Sequence, residues 1–131
     1  MTHRKTITAK EARELIAAAK PKRSKMRNVP TVIGGVRFAS KKEARRYSEL
    51  RLLVKAGEIS NLLRQVEYDL VVEDDSGFHF ITTYRADFVY TMHERKVVED
   101  VKGRKAGVEY DLYRIKKNLM AALRGIIIVE I

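Results

Sequence analysis

Residues 84–103, YRADFVYTMHERKVVEDVKG, constrain the chain more than any other stretch. Two runs rich in β-branched and aromatic residues flank a short polar turn. This pattern predicts two antiparallel strands, with Asp87 on the first and Asp100 and Lys102 on the second. Side chains alternate along a strand, so Asp100 and Lys102 share one face and Val101 takes the other. Carboxylates set among Phe88, Val89, Tyr90, Val97, Val98 and Val101 are costly to bury without a partner. Two carboxylates and a lysine at a strand end are a reasonable seat for a hard divalent cation and the water it activates.

The flanking sequence predicts the elements around this pair. Residues 65–73 alternate, with Val66, Tyr68, Leu70 and Val72 on one face and Gln65, Glu67 and Asp69 on the other. Asp74-Asp75-Ser76-Gly77 is a turn, and residues 78–90 continue as a long strand. With 97–102 these make a three-stranded antiparallel meander. Before it, residues 31–38 (TVIGGVRF) read as a hairpin turning at Gly34-Gly35. Ser40 with Glu43 forms a capping box that opens a helix over 41–56, closed by Gly57. Glu43 lies in line with Tyr47, Leu50 and Val54, the stripe expected to face the sheet, so it reads either as a capping glutamate or as a carboxylate turned toward the site. After a basic loop at 103–107 (GRKAG), residues 109–124 form a helix with Leu112, Ile115, Leu119 and Ala122 inward, stopped by Gly125. Residues 126–131 (IIIVEI) read as a buried strand, parallel to the third through a helical crossover. The class is α/β (α+β), in the order helix, three strands, helix, strand.

Charge separates the chain into two parts. Of the net +10, residues 1–30 hold nine Lys/Arg against two Glu, a net +7, and the remainder holds eighteen against fifteen, a net +3. Within that arm, residues 8–20 read as a short helix with a Thr8–Glu11 capping box, ended by Pro21. Lys22, Arg23, Lys25 and Arg27 follow in a stretch too basic to pack. Residues 1–30 are thus a basic helix and arm, and 31–131 the main domain. Such an arm points to a polyanion, most often nucleic acid, and otherwise serves as a solubilising tail. With no cysteine and only three scattered histidines, thiolate catalysis, disulfides and cysteine zinc sites are excluded. No apolar run is long enough to span a membrane and the start carries no signal-peptide core, which fits a cytoplasmic protein without a membrane partner.

That order of elements, with Asp87 on the second strand and Asp100-Val101-Lys102 on the third, resembles the PD-(D/E)XK nuclease superfamily, whose restriction-endonuclease-like core is αβββαβ. Glu43 matches the glutamate that many members place on the first helix. The blocks SKKEARRY, LLVKAGEI, YRADFVY and VVEDVKG are similar to a family of small phage-encoded proteins of that superfamily. The resemblance runs from about residue 25 to 131. It departs from the commoner pattern in carrying Asp rather than Glu at position 100, and the adjacent Glu99, a rival ligand, should face away from Lys102.

The resemblance implies a metal-dependent endodeoxyribonuclease acting in DNA recombination, repair or replication, including on branched DNA, in the host cytoplasm if phage-encoded. Asp87, Asp100 and the Val101 carbonyl would ligate one or two Mg²⁺ ions, with Mn²⁺ able to substitute. Glu43 would act through water or hold a second ion, and Lys102 would orient the attacking water. DNA contacts are expected from the arm, from Arg104 and Lys105, and from Lys116 and Lys117, which read equally as a solvated helix face. Tyr47, Tyr68, Tyr84 and Tyr113 could stack on bases, although core packing suits most of them. Cutting both strands takes two sites, which a homodimer would supply. Two other readings stay open. Asp87 and Lys102 could be an ion pair on a sheet face, and the chain could be a non-catalytic nucleic-acid-binding or regulatory protein on a nuclease-like fold.

Overall fold

The computed structural model describes residues 2–3, 31–33 and 35–131. The expected arm helix, its capping box and the basic residues Lys22, Arg23, Lys25 and Arg27 lie outside those residues. The elements are β1 (Thr2–His3), β2 (Thr31–Ile33), β3 (Val36–Phe38), α1 (Lys41–Lys55), β4 (Ser60–Asp74), β5 (Gly77–Met92), β6 (Arg95–Asp100), α2 (Val108–Arg124) and β7 (Val129–Glu130). The class is the expected α/β mixture. The mixed sheet runs β4-β5-β6-β7, antiparallel except for the parallel β6–β7 pair. Strand β1 adds in parallel at Phe78 and His79 of β5, and β2 with β3 forms the separate hairpin.

The sheet carries a core on each face. One gathers Leu70, Tyr84, Ala86, Val89, Val98, Tyr113, Met120 and Ile128 beneath α2. The other gathers Phe38, Ala44, Leu50, Ile59, Phe88 and Tyr90 beneath α1 and the hairpin. Both faces being covered explains why Phe88, Val89 and Tyr90 on β5 and Val97 and Val98 on β6 are apolar in succession. His93 and Glu94, both with positive φ, make the two-residue turn between β5 and β6.

Several expectations need correction. Strand β4 begins at Ser60, five residues earlier than the alternation suggests, because Asn61 and Gln65 in the left-handed region interrupt its pattern. On α1, Val54 is exposed and Leu53 packs inward instead. Helix α2 is rotated from its expected stripe: Tyr113 and Met120 are buried, whereas Ile115 is 56 % exposed. The rotation follows from Tyr113, whose hydroxyl bonds Glu130 on β7. Residues 126–131 are not a buried strand. Only Val129 and Glu130 pair, with Glu99 and Asp100, and Ile127 is 72 % exposed at the open edge of the sheet. Strand β6 stops at Asp100, so Lys102 lies just beyond it. The chain nevertheless stays extended there, as Lys102 N–H donates to the Ile131 carbonyl and Ile131 N–H to that of Asp100.

Candidate active site

Alternation along β5 breaks at Asp87. Ala86 feeds the core under α2, and Phe88, which regular pleating would put on the same face, feeds the core under α1. Between the pairs Arg64–Phe88 and Val66–Ala86, the residue opposite Asp87 is Gln65, with φ of 53°. The irregularity leaves Asp87 half-buried and a member of neither apolar core. Gln65 Nε2 donates to its Oδ1 at 3.2 Å and Val101 N–H to its Oδ2 at 2.8 Å.

Asp100, 5 % exposed, faces α2. Tyr84 OH donates to its Oδ2 at 2.6 Å, and Lys102 Nζ lies 2.7 Å from its Oδ1. The expected shared face of Asp100 and Lys102 is therefore present, although Lys102 is past the strand end. The lysine ammonium also sits 3.4 Å from the centroid of the Tyr113 ring, a cation–π contact that fixes it from the other side. Asp87 and Lys102 are not the simple ion pair of the alternative reading, since the carboxylate that Lys102 meets is Asp100.

Glu43 enters from α1. Ser40 Oγ caps the helix by accepting from Glu43 N–H at 3.2 Å, which is half of a capping box. The Glu43 carboxylate is turned instead toward Arg64, at 3.7 Å from Nη2. Lys42 Nζ donates to the Lys102 carbonyl, tying the start of α1 to the end of β6.

The electrostatics join the three acids. Burial, and then the Asp100 charge, push the Asp87 carboxyl up to about 7, against the opposing bonds from Val101 and Gln65, with Glu43 adding to the rise. Burial also raises Glu43, offset in part by Arg64. Burial and Asp100 push the Tyr84 phenol far up, so it stays a donor. Glu43 and Asp100 thus each have a cation in direct reach, Arg64 and Lys102, with Arg85 acting on Glu43 at longer range. The partners of Asp87, by contrast, are the neutral Gln65 amide and Val101 N–H.

Among the described residues no group of three or more His, Cys, Asp or Glu is arranged as a metal cluster. Mg²⁺ asks for less, being held commonly by one or two carboxylates with water and substrate oxygens. Asp87 and Asp100 could provide these, with the Val101 carbonyl, and a bound cation would offset both the burial and the Asp100 charge that raise Asp87. An open cleft of about 470 Å³ lined by Gly57, Glu58, Ser60, Thr91, His93 and Glu94 shares no residue with the acidic set.

The predicted DNA contacts divide. Arg104 and Lys105 lie in an exposed loop, and Lys116 is half-buried on α2. Lys105 and Lys117 both pair with Glu130, at 3.3 and 2.8 Å, so they are engaged within the protein. Of the tyrosines, Tyr84 and Tyr113 are buried, Tyr47 packs on Phe38, and Tyr68 lies under Arg124.

Sequence reasoning missed Gln65, Arg64 and the hydroxyl roles of Tyr84 and Tyr113. Counting back from the Asp74–Gly77 turn sets Gln65 opposite Ala86. The bulge between Leu70 and Val71 shifts the register by one and brings it opposite Asp87. The face pattern of 65–73 carries no sign of that bulge. Tyr84 was legible in principle, since it lies three residues before Asp87, which the register Phe88↔Glu99 sets opposite Asp100.

The protein-family model described as "Protein of unknown function (DUF1064)" matches residues 23–124, a span that includes Glu43, Arg64, Asp87, Asp100 and Lys102. No curated protein and no solved structure matches the chain.

Proposed function

The chain belongs to the DUF1064 family, and we propose that it is a metal-dependent endodeoxyribonuclease of the PD-(D/E)XK type, hydrolysing DNA phosphodiesters. The observation that carries this reading is the placing of Asp87, inside β5, beside Asp100 at the end of β6, where burial and then the Asp100 charge push the Asp87 carboxyl up to about 7, with Lys102 seated on Asp100. A structural ion pair has no use for such repulsion, whereas a cation-binding site does.

In this reading Asp87, Asp100 and the Val101 carbonyl hold Mg²⁺ or Mn²⁺, and Glu43 acts through water or on a second ion. The chemistry the ion supplies is charge neutralisation at the phosphate and acidification of water. Tyr84 and Lys102 fix the Asp100 carboxylate from both oxygens, which orients it before substrate arrives. Lys102, backed by the Tyr113 ring, offsets charge that develops on the phosphate. DNA recombination, repair or replication is the proposed setting, and a homodimer would supply a second site for the second strand.

One observation favours a non-catalytic nucleic-acid-binding reading: every oxygen of Asp87 and Asp100 already has a protein partner. Incubation of supercoiled plasmid, linear duplex, single strand and a four-way junction with Mg²⁺, Mn²⁺ or EDTA separates the two. Metal-dependent cutting that is lost in Asp100→Asn and Lys102→Ala supports the nuclease. Intact substrates together with metal-independent, salt-sensitive gel shifts support the binder.

A further inference from the structure

Arg64 is the charged residue nearest the site whose bonding is least complete. Its guanidinium carbon lies 4.4 Å from the centroid of Phe38 and 5.9 Å from that of Tyr47, so the plane is held on aromatic faces from the hairpin and α1. Its ion pair is with Glu43 at 3.7 Å, well beyond the 2.7–2.9 Å or so of a charge-assisted hydrogen bond. Its Nε is buried without any hydrogen-bond partner, the one such side-chain atom among the described residues. Arg46 on the same face shows the contrast, holding Glu99 through two nitrogens at 2.9 and 2.6 Å.

Position adds to this. Arg64 precedes Gln65, which bonds Asp87, and pairs across the sheet with Phe88, the residue after Asp87. It stands on the α1 side of the acids, whereas Lys102 stands on the α2 side, against Tyr113. A planar cation fixed on rings, 26 % exposed and facing a loosely held carboxylate, matches the fork that phosphate oxygens engage.

We infer that Arg64 is a substrate-contacting residue of this site, receiving a non-bridging oxygen of a DNA phosphate on the side of the acids opposite Lys102. The inference rests on the nucleic-acid reading of the site, and its test runs without cleavage. Full-length protein is titrated with a fluorescent DNA duplex in EDTA over a series of salt concentrations. Loss of one phosphate contact is expected to make the log–log salt dependence shallower by about one unit in Arg64→Gln. Arg64→Lys, which keeps the charge, should retain the wild-type slope. If Arg64→Gln does not fold, Arg64→Met preserves the stem on Phe38 and gives the same readout.

A residue that serves only to neutralise Glu43 would behave otherwise. Its loss would be rescued in a Glu43→Gln background, whereas a phosphate contact would still be lost there. An unchanged slope in Arg64→Gln, rescue by Glu43→Gln, or absence of any binding by the wild type overturns the inference. Cutting in Mg²⁺ with an unchanged slope rejects Arg64 alone. An Arg64-dependent slope in a protein that never cuts rejects the nuclease and leaves Arg64 in place.

Discussion

Glu99 and Asp100 are neighbours on β6, at 1 % and 5 % exposure, yet they live in opposite electrostatic settings. Glu99 faces α1. Arg46 grips it bidentately and the Tyr90 hydroxyl donates to Oε2. Arg46 is held in turn by Glu49 at 2.9 Å, and its own pKa is driven further up by Glu99. Asp100 faces the other way, toward Asp87, whose carboxyl burial and then the Asp100 charge push up to about 7. One cluster is complete without a ligand and joins helix to sheet. The other leaves the buried Asp87 carboxyl bonded by neutral donors, Gln65 and the Val101 N–H, which a structural role does not require.

Function should therefore be lost at Asp100 without loss of fold, and fold at Glu99 before function. The largest expected effect is on cleavage. Asp100→Asn keeps the shape and removes the charge, and should lower the cleavage rate by at least about 10²–10³-fold, as losing a charge-stabilising group does. Its thermal midpoint in EDTA should fall by less than that of Glu99→Ala, because the lost pair with Lys102 is offset by removal of the like charge beside Asp87. A rate within threefold of wild type would break the comparison at its functional end.

Glu99→Ala should cost stability instead, about 3 kcal/mol by chemical denaturation, because it strands the Arg46 guanidinium and the Tyr90 hydroxyl. Glu49 remains near Arg46, which keeps the loss at the low end of the range for broken buried pairs. The activity per folded molecule should stay close to wild type. If Glu99→Ala instead remained stable and inactive, Glu99 would belong with the site.

The pH dependence sharpens the contrast. The Asp87 carboxyl is raised from the usual 3.8 to about 7. Between those values the folded protein holds a proton that the unfolded chain has lost, so stability falls as pH rises through this window. Metal-free protein should therefore lose thermal stability from pH 4 to pH 8 through this group, and Asp87→Asn should flatten that slope. Mg²⁺ should raise the midpoint at pH 8 and far less at pH 5, where a proton already occupies the carboxyl. Equal Mg²⁺ effects at both values would separate the cation from Asp87.

Much of this was legible in sequence. The element order, the hairpin at Gly35, the shared face of Asp100 and Lys102 and the opposed face of Glu99 all follow from turn chemistry and the period of two. What stayed hidden depends on defects in that period. The switch of faces at Asp87 and the register shift at Leu70 leave the composition unchanged, and they decide that Gln65, rather than Arg64, stands opposite the acid. The stripe of α2 failed for a related reason. Hydrophobicity favours Ile115 inward, but Tyr113 is held by Glu130 and by the Lys102 ammonium, and these polar contacts set the rotation. Glu43 could be placed on the right face of α1 from its spacing, but its turn toward Arg64 rather than back to Ser40 depends on a strand that starts five residues earlier than the alternation shows.

The smallest expected effect concerns Lys117, which sequence grouped with the DNA contacts. Lys117, Tyr113 and Lys105 together hold the Glu130 carboxyl down to about 2. A depressed carboxylate stabilises the fold above its ordinary value of 4.5, and that contribution fades as pH falls toward 2. The pair is partly exposed, so salt screens it, and Lys117→Met should cost less than about 1 kcal/mol at neutral pH, a cost that shrinks steadily as pH falls from 4.5 toward 2. Its salt dependence of DNA binding should match wild type, unlike that of Arg64→Gln, because an ammonium already spent on Glu130 displaces no additional counterion from DNA. A slope shallower by about one unit would mean that Glu130 releases Lys117 to the phosphate backbone. The α2 side would then belong to the binding surface, and the division between a completed cluster and an open one would have to be drawn at Tyr113 rather than between Glu99 and Asp100.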